Sequence, residues 1–242
     1  MVRAQALMET RLLLRNGEQL LLAVVIPVIV LIGAVEGSTH IDLALSHRAV
    51  DVFTPGVLAL AVMSTAFTSL AIATGFERRY GVIKRLGSTP LPRWGLLVGK
   101  IGSVLLVQAI QLTVLVVVAL WLGWEPHGGA ASYGWMVLLT LLGTAAFAAL
   151  GLLVAGTLRA EATLAVANLV YVLLLVGGAV LVPLDRYPDA AQTFLSVLPS
   201  GALSEGMRTV FDGHVPPTSS IVVLVVWAAV AAGATARTFK WE

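Results

Sequence analysis

Apolar residues in this chain fall into long unbroken runs, not into the alternating or 3.6-residue patterns of a soluble fold. Six windows hold no Asp, Glu, Lys or Arg: residues 19–35, 52–76, 101–124, 128–158, 162–184 and 215–236. A helix that crosses the hydrocarbon core needs about 20 mostly apolar residues, so each window predicts one span. The first window holds 17 residues and contains Pro27, which predicts either a kink or the recruitment of a turn from the preceding LLLRN. The fourth exceeds one crossing, and the pattern starts its span near Trp135.

Charge placement orients the spans. Twelve of the fifteen Lys and Arg residues lie in the N-terminal segment, the second and fourth loops and the C-terminal segment; only Arg48, Arg186 and Arg208 lie on the other side. By the positive-inside rule both termini are cytoplasmic, in keeping with an even number of crossings of the plasma membrane. Residues 1–19 read as an amphipathic helix on the membrane surface, with Leu7, Met8, Leu12 and Leu14 in lipid and Arg3, Arg11 and Arg15 among headgroups. A plain extension of the first span is the alternative. A cleaved signal peptide fits less well, because 18 residues precede the apolar run.

The expected fold is therefore an all-α integral membrane protein, one transmembrane domain over residues 1–242. Spans one to five occupy 20–184, an outer hairpin 185–214, and the sixth span with a cytoplasmic tail 215–242. Composition agrees: 58% of residues are hydrophobic and 12% charged, against roughly 25% charged in soluble domains. A net charge of +2 is too small a surplus to indicate a nucleic-acid partner. The lack of cysteine excludes disulfides, thiol catalysis and Cys-based metal sites.

The sequence encodes no catalytic constellation. GLLVGKI at 95–101 has three residues between its glycines and an Ile after the Lys, where a phosphate-binding loop needs four and a Ser or Thr. Its GxxxG reads as close helix packing. The histidines His40, His47, His127 and His214 fall in outer segments without metal-ligand spacing, so no metal site is expected. Ser200 lacks the GxSG setting of a serine hydrolase. The spans contain no ionisable ladder, which disfavours a self-sufficient proton- or ion-coupled carrier. Their polar residues are mild: Ser64, Thr65, Thr68 and Ser69 in the second, Gln108 and Gln111 in the third, Asn168 and Tyr171 in the fifth. Such residues serve helix packing or, as the sharper reading, a mildly polar cargo path along Ser64, Thr68, Asn168 and Tyr171.

Between Phe76 and Lys100 the chain gathers six of its fifteen basic residues. Phe76, Tyr80 and Ile83 recur at helical spacing, which predicts that the second span continues into a short amphipathic cytoplasmic helix, ended by Gly87 and the Thr89-Pro90 turn. Binding to anionic lipid accounts for part of the positive charge, though not for the ordered helix and break. Residues 180–213, punctuated by Pro183, Pro188 and Pro199, predict two short helices dipping back into the outer leaflet.

ERRYG…LGSTPLPRWGLLVGK resembles the ER-x-x-G…L-x-x-TP…GK signature of the ABC-type-2 transporter permeases, including the daunorubicin-resistance type. RNGEQLLLAVVIPVIVL resembles their entry to the first span, and VPLDRYP…LPSGALSEGMRTVFDG their segment before the last. The three motifs occur in order along essentially the whole chain, with Arg79 a departure where many relatives carry an acid. The resemblance implies a permease subunit without its own nucleotide site, ATP and magnesium being held by a separate ATP-binding subunit. Glu77, Arg78, Gly81, Lys84, Arg85, Leu86, Thr89 and Pro90 would then belong to a coupling helix over residues 77–86. A second copy or a related permease would face this one near the second and fifth spans. The outer hairpin would form a gate with Pro199, Glu205 and Arg208, the last two holding it by hydrogen bonds. The implied cargo is a hydrophobic or amphiphilic drug or lipid-like compound moving outward. The alternative is a non-transporting membrane scaffold driven by the same ATPase docking.

Overall fold

A computed structural model of the chain describes residues 17–40, 48–87 and 93–239. The surface helix expected over residues 1–19 lies almost wholly outside the described residues, as do Thr89 and Pro90. Among the described residues there is no strand. The helices are α1 (Gly17–His40), α2 (Ala49–Met63), α3 (Leu70–Arg79), α4 (Val82–Gly87), α5 (Arg93–Trp121), α6 (Gly129–Thr157), α7 (Ala160–Gly177), α8 (Asp189–Ser196), α9 (Pro199–Phe211) and α10 (Thr218–Thr238). A π-helical turn, Ser64–Ser69, joins α2 to α3 without a break, and a single 3-10 turn, Leu184–Arg186, precedes α8.

Five helical segments are long and apolar enough to cross a membrane: Ala49–Arg79, Gly99–Trp121, Gly129–Thr157, Ala160–Gly177 and Thr218–Thr238. A shorter apolar stretch, Ala23–Ser38, lies within α1. The α2–π–α3 rod is the centre of the bundle. Val57, Leu58, Leu60, Ala61 and Val62 are each 2% exposed or less, packed on by α1, α5, α6 and α9. α6 and α10 lie along each other. Small residues permit this approach: Ala231 and Thr235 are buried in α10, and Thr235 Oγ1 donates 3.0 Å to the Ala149 carbonyl on α6.

Three boundaries differ from the sequence expectation. α6 starts at Gly129, six residues before Trp135, because Gly128 and Gly129 turn the chain straight into helix and Ser132 is already buried against α9. The apolar run expected to span to Leu184 leaves helical form after Gly177. There the Gly178 N–H closes on the Leu174 carbonyl, and Ala179 takes a left-handed φ of 55°. The second span does not continue smoothly into the basic helix: α3 stops at Arg79, and Gly81, at φ 69°, makes a joint before α4. That φ falls in the left-handed region, which side chains with a Cβ enter at a cost.

Candidate functional site

The basic end of the bundle is built on the last turn of α3. Glu77 pairs with Lys100 in α5, and Arg79 pairs with Glu161 in the first turn of α7. Arg78 Nη1 donates to the carbonyls of Ala155 and, at 3.1 Å, Leu158. These belong to the end of α6, where carbonyls lack intrahelical donors and cations are favoured. The same guanidinium stands 6.0 Å from the centroid of Phe239, just beyond α10. Phe239 in turn lies over Gly156, where an added Cβ would overlap the ring. Beyond these contacts the chain turns outward. Tyr80, stacked on Phe76 at 6.2 Å, is 66% exposed, and Val82 is 38% exposed. Lys84 and Arg85 are exposed along α4. Glu77 and Arg78 are thus engaged within the chain, whereas Tyr80, Val82, Lys84 and Arg85 present the outward face.

The bundle interior is cross-linked by two amides. Pro27 has no N–H, so the Ala23 carbonyl one turn earlier loses its helical donor. Gln111 Nε2 takes that place at 2.6 Å, while its Oε1 accepts a 2.8 Å bond from Thr65 in the π turn. Gln108 Nε2 donates 3.2 Å to the Val62 carbonyl, where the ladder changes from i−4 to i−5 spacing, and its Oε1 accepts from Thr144 at 2.7 Å. Both glutamines are 1% exposed or less. They join α1, α2, the π turn, α5 and α6, so here polar residues serve helix association. Of the four cargo-path candidates, Ser64 and Tyr171 lie near each other. The Thr68 hydroxyl is buried without a partner, and Asn168 is exposed on α7.

At the opposite end, α8 and α9 occupy the two stretches where short helices were expected. Pro199 opens α9 and is buried. Arg208, 8% exposed, reaches back to the segment after α7. Its Nη1 donates 3.1 Å to the Ala179 carbonyl, and its Nη2 donates to those of Val180 and Leu181 at 2.5 and 3.1 Å. Ser204 adds a 2.8 Å bond to Ala179, and Gly56 leaves room for the Val180 carbonyl, which a Cβ would overlap. Burial lowers the Arg208 pKa to about 10, so it stays charged at neutral pH. The carboxylate of Glu205, by contrast, makes no hydrogen bond or ion pair among the described residues, although the Glu205 carbonyl accepts from Thr209 at 2.9 Å. Burial raises its pKa, with Arg208 pulling the other way. The two line a cavity of about 560 Å³ together with Asp51, Trp124, Asp185 and Asp212. Arg48 closes one rim, bonding Asp51 and Glu125 at 3.0 Å each.

The importance of Lys100, Glu161 and Phe239 was missed in the sequence. Lys100 was legible as a charge bracketing a span, but its partner was not. Among the described residues no group of three or more His, Asp or Glu is placed to hold a metal.

A helical bundle with five membrane-length apolar segments, fastened at one end by ion pairs and presenting a short exposed basic helix there, is a multi-pass membrane protein. Residues 41–237 match the family described as ABC-2 family transporter protein, and the chain belongs to it. This is the family that the motifs around Glu77, Pro90 and Arg208 resemble. A protein of Bacillus subtilis (strain 168) named "Putative transport permease YvfS" is 26% identical over 168 residues, covering 69% of this chain and 67% of the relative. The chain is accordingly a membrane transport subunit, of a kind that in general works with an ATP-binding subunit, rather than a catalytic enzyme.

Proposed function

We propose that the chain is the permease subunit of an ATP-driven exporter in the plasma membrane, moving a hydrophobic or amphiphilic drug or lipid-like compound outward. A separate subunit binds ATP and magnesium. The observation that carries this reading is the exposed face of Val82, Lys84 and Arg85 on a six-residue helix, with exposed Tyr80 just before it, that follows the end of one membrane-length segment and precedes the next in the chain. Such a helix, exposed toward water and joined at Gly81 to the end of α3, suits the groove of a partner that moves it as a lever. Leu86, Thr89 and Pro90 belong to the same loop by sequence. With this loop cytoplasmic, α8 and α9 form the outer gate and the cavity over Glu205 is the exit vestibule.

The cargo compartment forms between two permeases, this chain with a second copy or a related one. α7 supports this: 17% of its apolar window is buried within the chain, and Leu169, Val172, Leu173 and Val176 are exposed beside Asn168. Asn168 facing lipid would carry a desolvation cost that a facing helix relieves.

The deciding experiment co-purifies the chain with the ATP-binding subunit encoded nearest its gene and measures ATP hydrolysis in lipid vesicles. Hydrolysis that rises on assembly, together with ATP-dependent accumulation of a fluorescent amphiphile inside inverted vesicles, is the expected result. Failure of the wild-type chain to associate would overturn the reading.

A further inference from the structure

We propose that Glu77, Arg78 and Arg79 act together as a force distributor, with Lys100, Glu161 and Phe239 as its receiving points. This inference rests on the ATP-coupled reading above and adds where the motion goes after it enters the chain.

Successive residues of an α-helix point about 100° apart. Three neighbours in one turn therefore fan out in three directions, and each here meets a different element. Glu77 meets α5 through Lys100, and Arg79 meets the start of α7 through Glu161. Arg78 meets the end of α6 through two carbonyls and the end of α10 through the Phe239 ring. The α3 backbone is itself the fifth participant. Each of the five membrane-length segments among the described residues is thus gathered on one turn, two residues before the Gly81 joint. The helix axes are also close there: a Cβ on Gly75 would stand 3.2 Å from Thr163 Cγ2 of α7.

Alternative roles fit the placement less well. A docking role would need the three side chains free toward the partner, yet the Lys100 side chain is 11% exposed and that of Glu77 31%. A purely stabilising role would not require three directions. The Arg79–Glu161 pair is 50% and 62% exposed, a setting in which an ion pair contributes little to folding. Its value lies in fixing the start of α7 to the lever. Glu77, Arg78 and Arg79 are positioning residues: they set how α5, α6, α7 and α10 follow α4.

The test exploits the absence of native cysteine. Val117→Cys on α5 and Val222→Cys on α10, both exposed toward the far half of the bundle, carry spin labels in the complex with the ATP-binding subunit in lipid. Their separation is measured by pulsed electron–electron resonance with and without ATP and vanadate. The parent is expected to change its distance distribution on trapping. E161R and K100E each still co-purify with the ATPase but lose most of that change, and R79E/E161R and E77K/K100E regain it. Loss of co-purification in E161R and K100E with no rescue by the swapped pairs would overturn the distributor and leave the ATP-coupled reading standing. Unaltered distance changes in all the single variants would overturn it equally. Failure of the parent chain to bind the ATPase would remove both.

Discussion

Pro27 and Gln111 show how single residues at depth are matched to each other. The proline removes one backbone donor from α1, and an amide from α5 restores it while also accepting from Thr65. Gln111→Leu leaves both partners unsatisfied in a medium without water. At the ~0.6–1.7 kcal/mol typical of interhelical hydrogen bonds in membranes, the loss is about 1–3 kcal/mol. In a Pro27→Ala background the Ala23 carbonyl recovers its own helical donor, so the same substitution costs less. Thermal unfolding of the four variants in one detergent measures that coupling, and strict additivity would sink it. Glu205 offers a second test at this scale. Burial raises its pKa, with Arg208 acting against the shift and Asp185 and Asp212 adding to it. The folded chain therefore binds more protons than the unfolded one between the ordinary glutamate pKa and the raised value, and stability falls as pH rises through that window. Glu205→Gln is expected to flatten this slope, matching wild type in acid and melting higher at neutral pH. An unchanged slope would exclude Glu205 as its source.

At the scale of elements, the joint between α3 and α4 is the part on which function turns. Gly81 holds φ 69°, donates its N–H to the Arg78 carbonyl and accepts from Arg85. Ala in that conformation costs about 1–2 kcal/mol, Asn less, and Pro cannot adopt it. Hydrolysis by the assembled complex should therefore fall in the order Gly, Asn, Ala, Pro at position 81 while the chain still inserts; equal rates for Gly and Pro would show that the joint transmits nothing. Five of the six expected spans were legible in the sequence because charge-free length is a one-dimensional signal; where the first was expected, the described residues hold only the shorter apolar stretch Ala23–Ser38. The joint was not, since the helical stripe of Phe76, Tyr80 and Ile83 runs across it and a lone glycine marks no turn type. The end of α7 was hidden for a different reason. Residues 178–184 are as apolar as a helix would be, and what frees them from helical form is Arg208, far along the chain, supplying donors to the carbonyls of residues 179–181. Likewise, the ERR run reads as topogenic charge until the three-dimensional partners Lys100, Ala155 and Glu161 are known.

For the whole molecule, burial is uneven. The central rod, Ala49–Arg79, has 72% of its apolar window buried, against 17% for α7 and 22% for α10. If the proposed second permease lies on α7, Asn168→Cys should give a disulfide-linked dimer on mild oxidation in the membrane, and Val117→Cys on α5 should not. The reverse pattern would move the pairing face. The same central rod carries the π turn at Ser64–Ser69, between a fully packed upper half and the lower half that bears Glu77, Arg78 and Arg79. A π turn holds one residue more than the α turn it replaces, and each residue is worth about 100° of rotation and 1.5 Å of rise. The two halves of the rod are therefore out of phase by nearly a third of a revolution relative to an unbroken α-helix. The chain in effect wears a vernier at its axis, and deleting one residue there would re-aim every contact below it without altering a single one of their side chains.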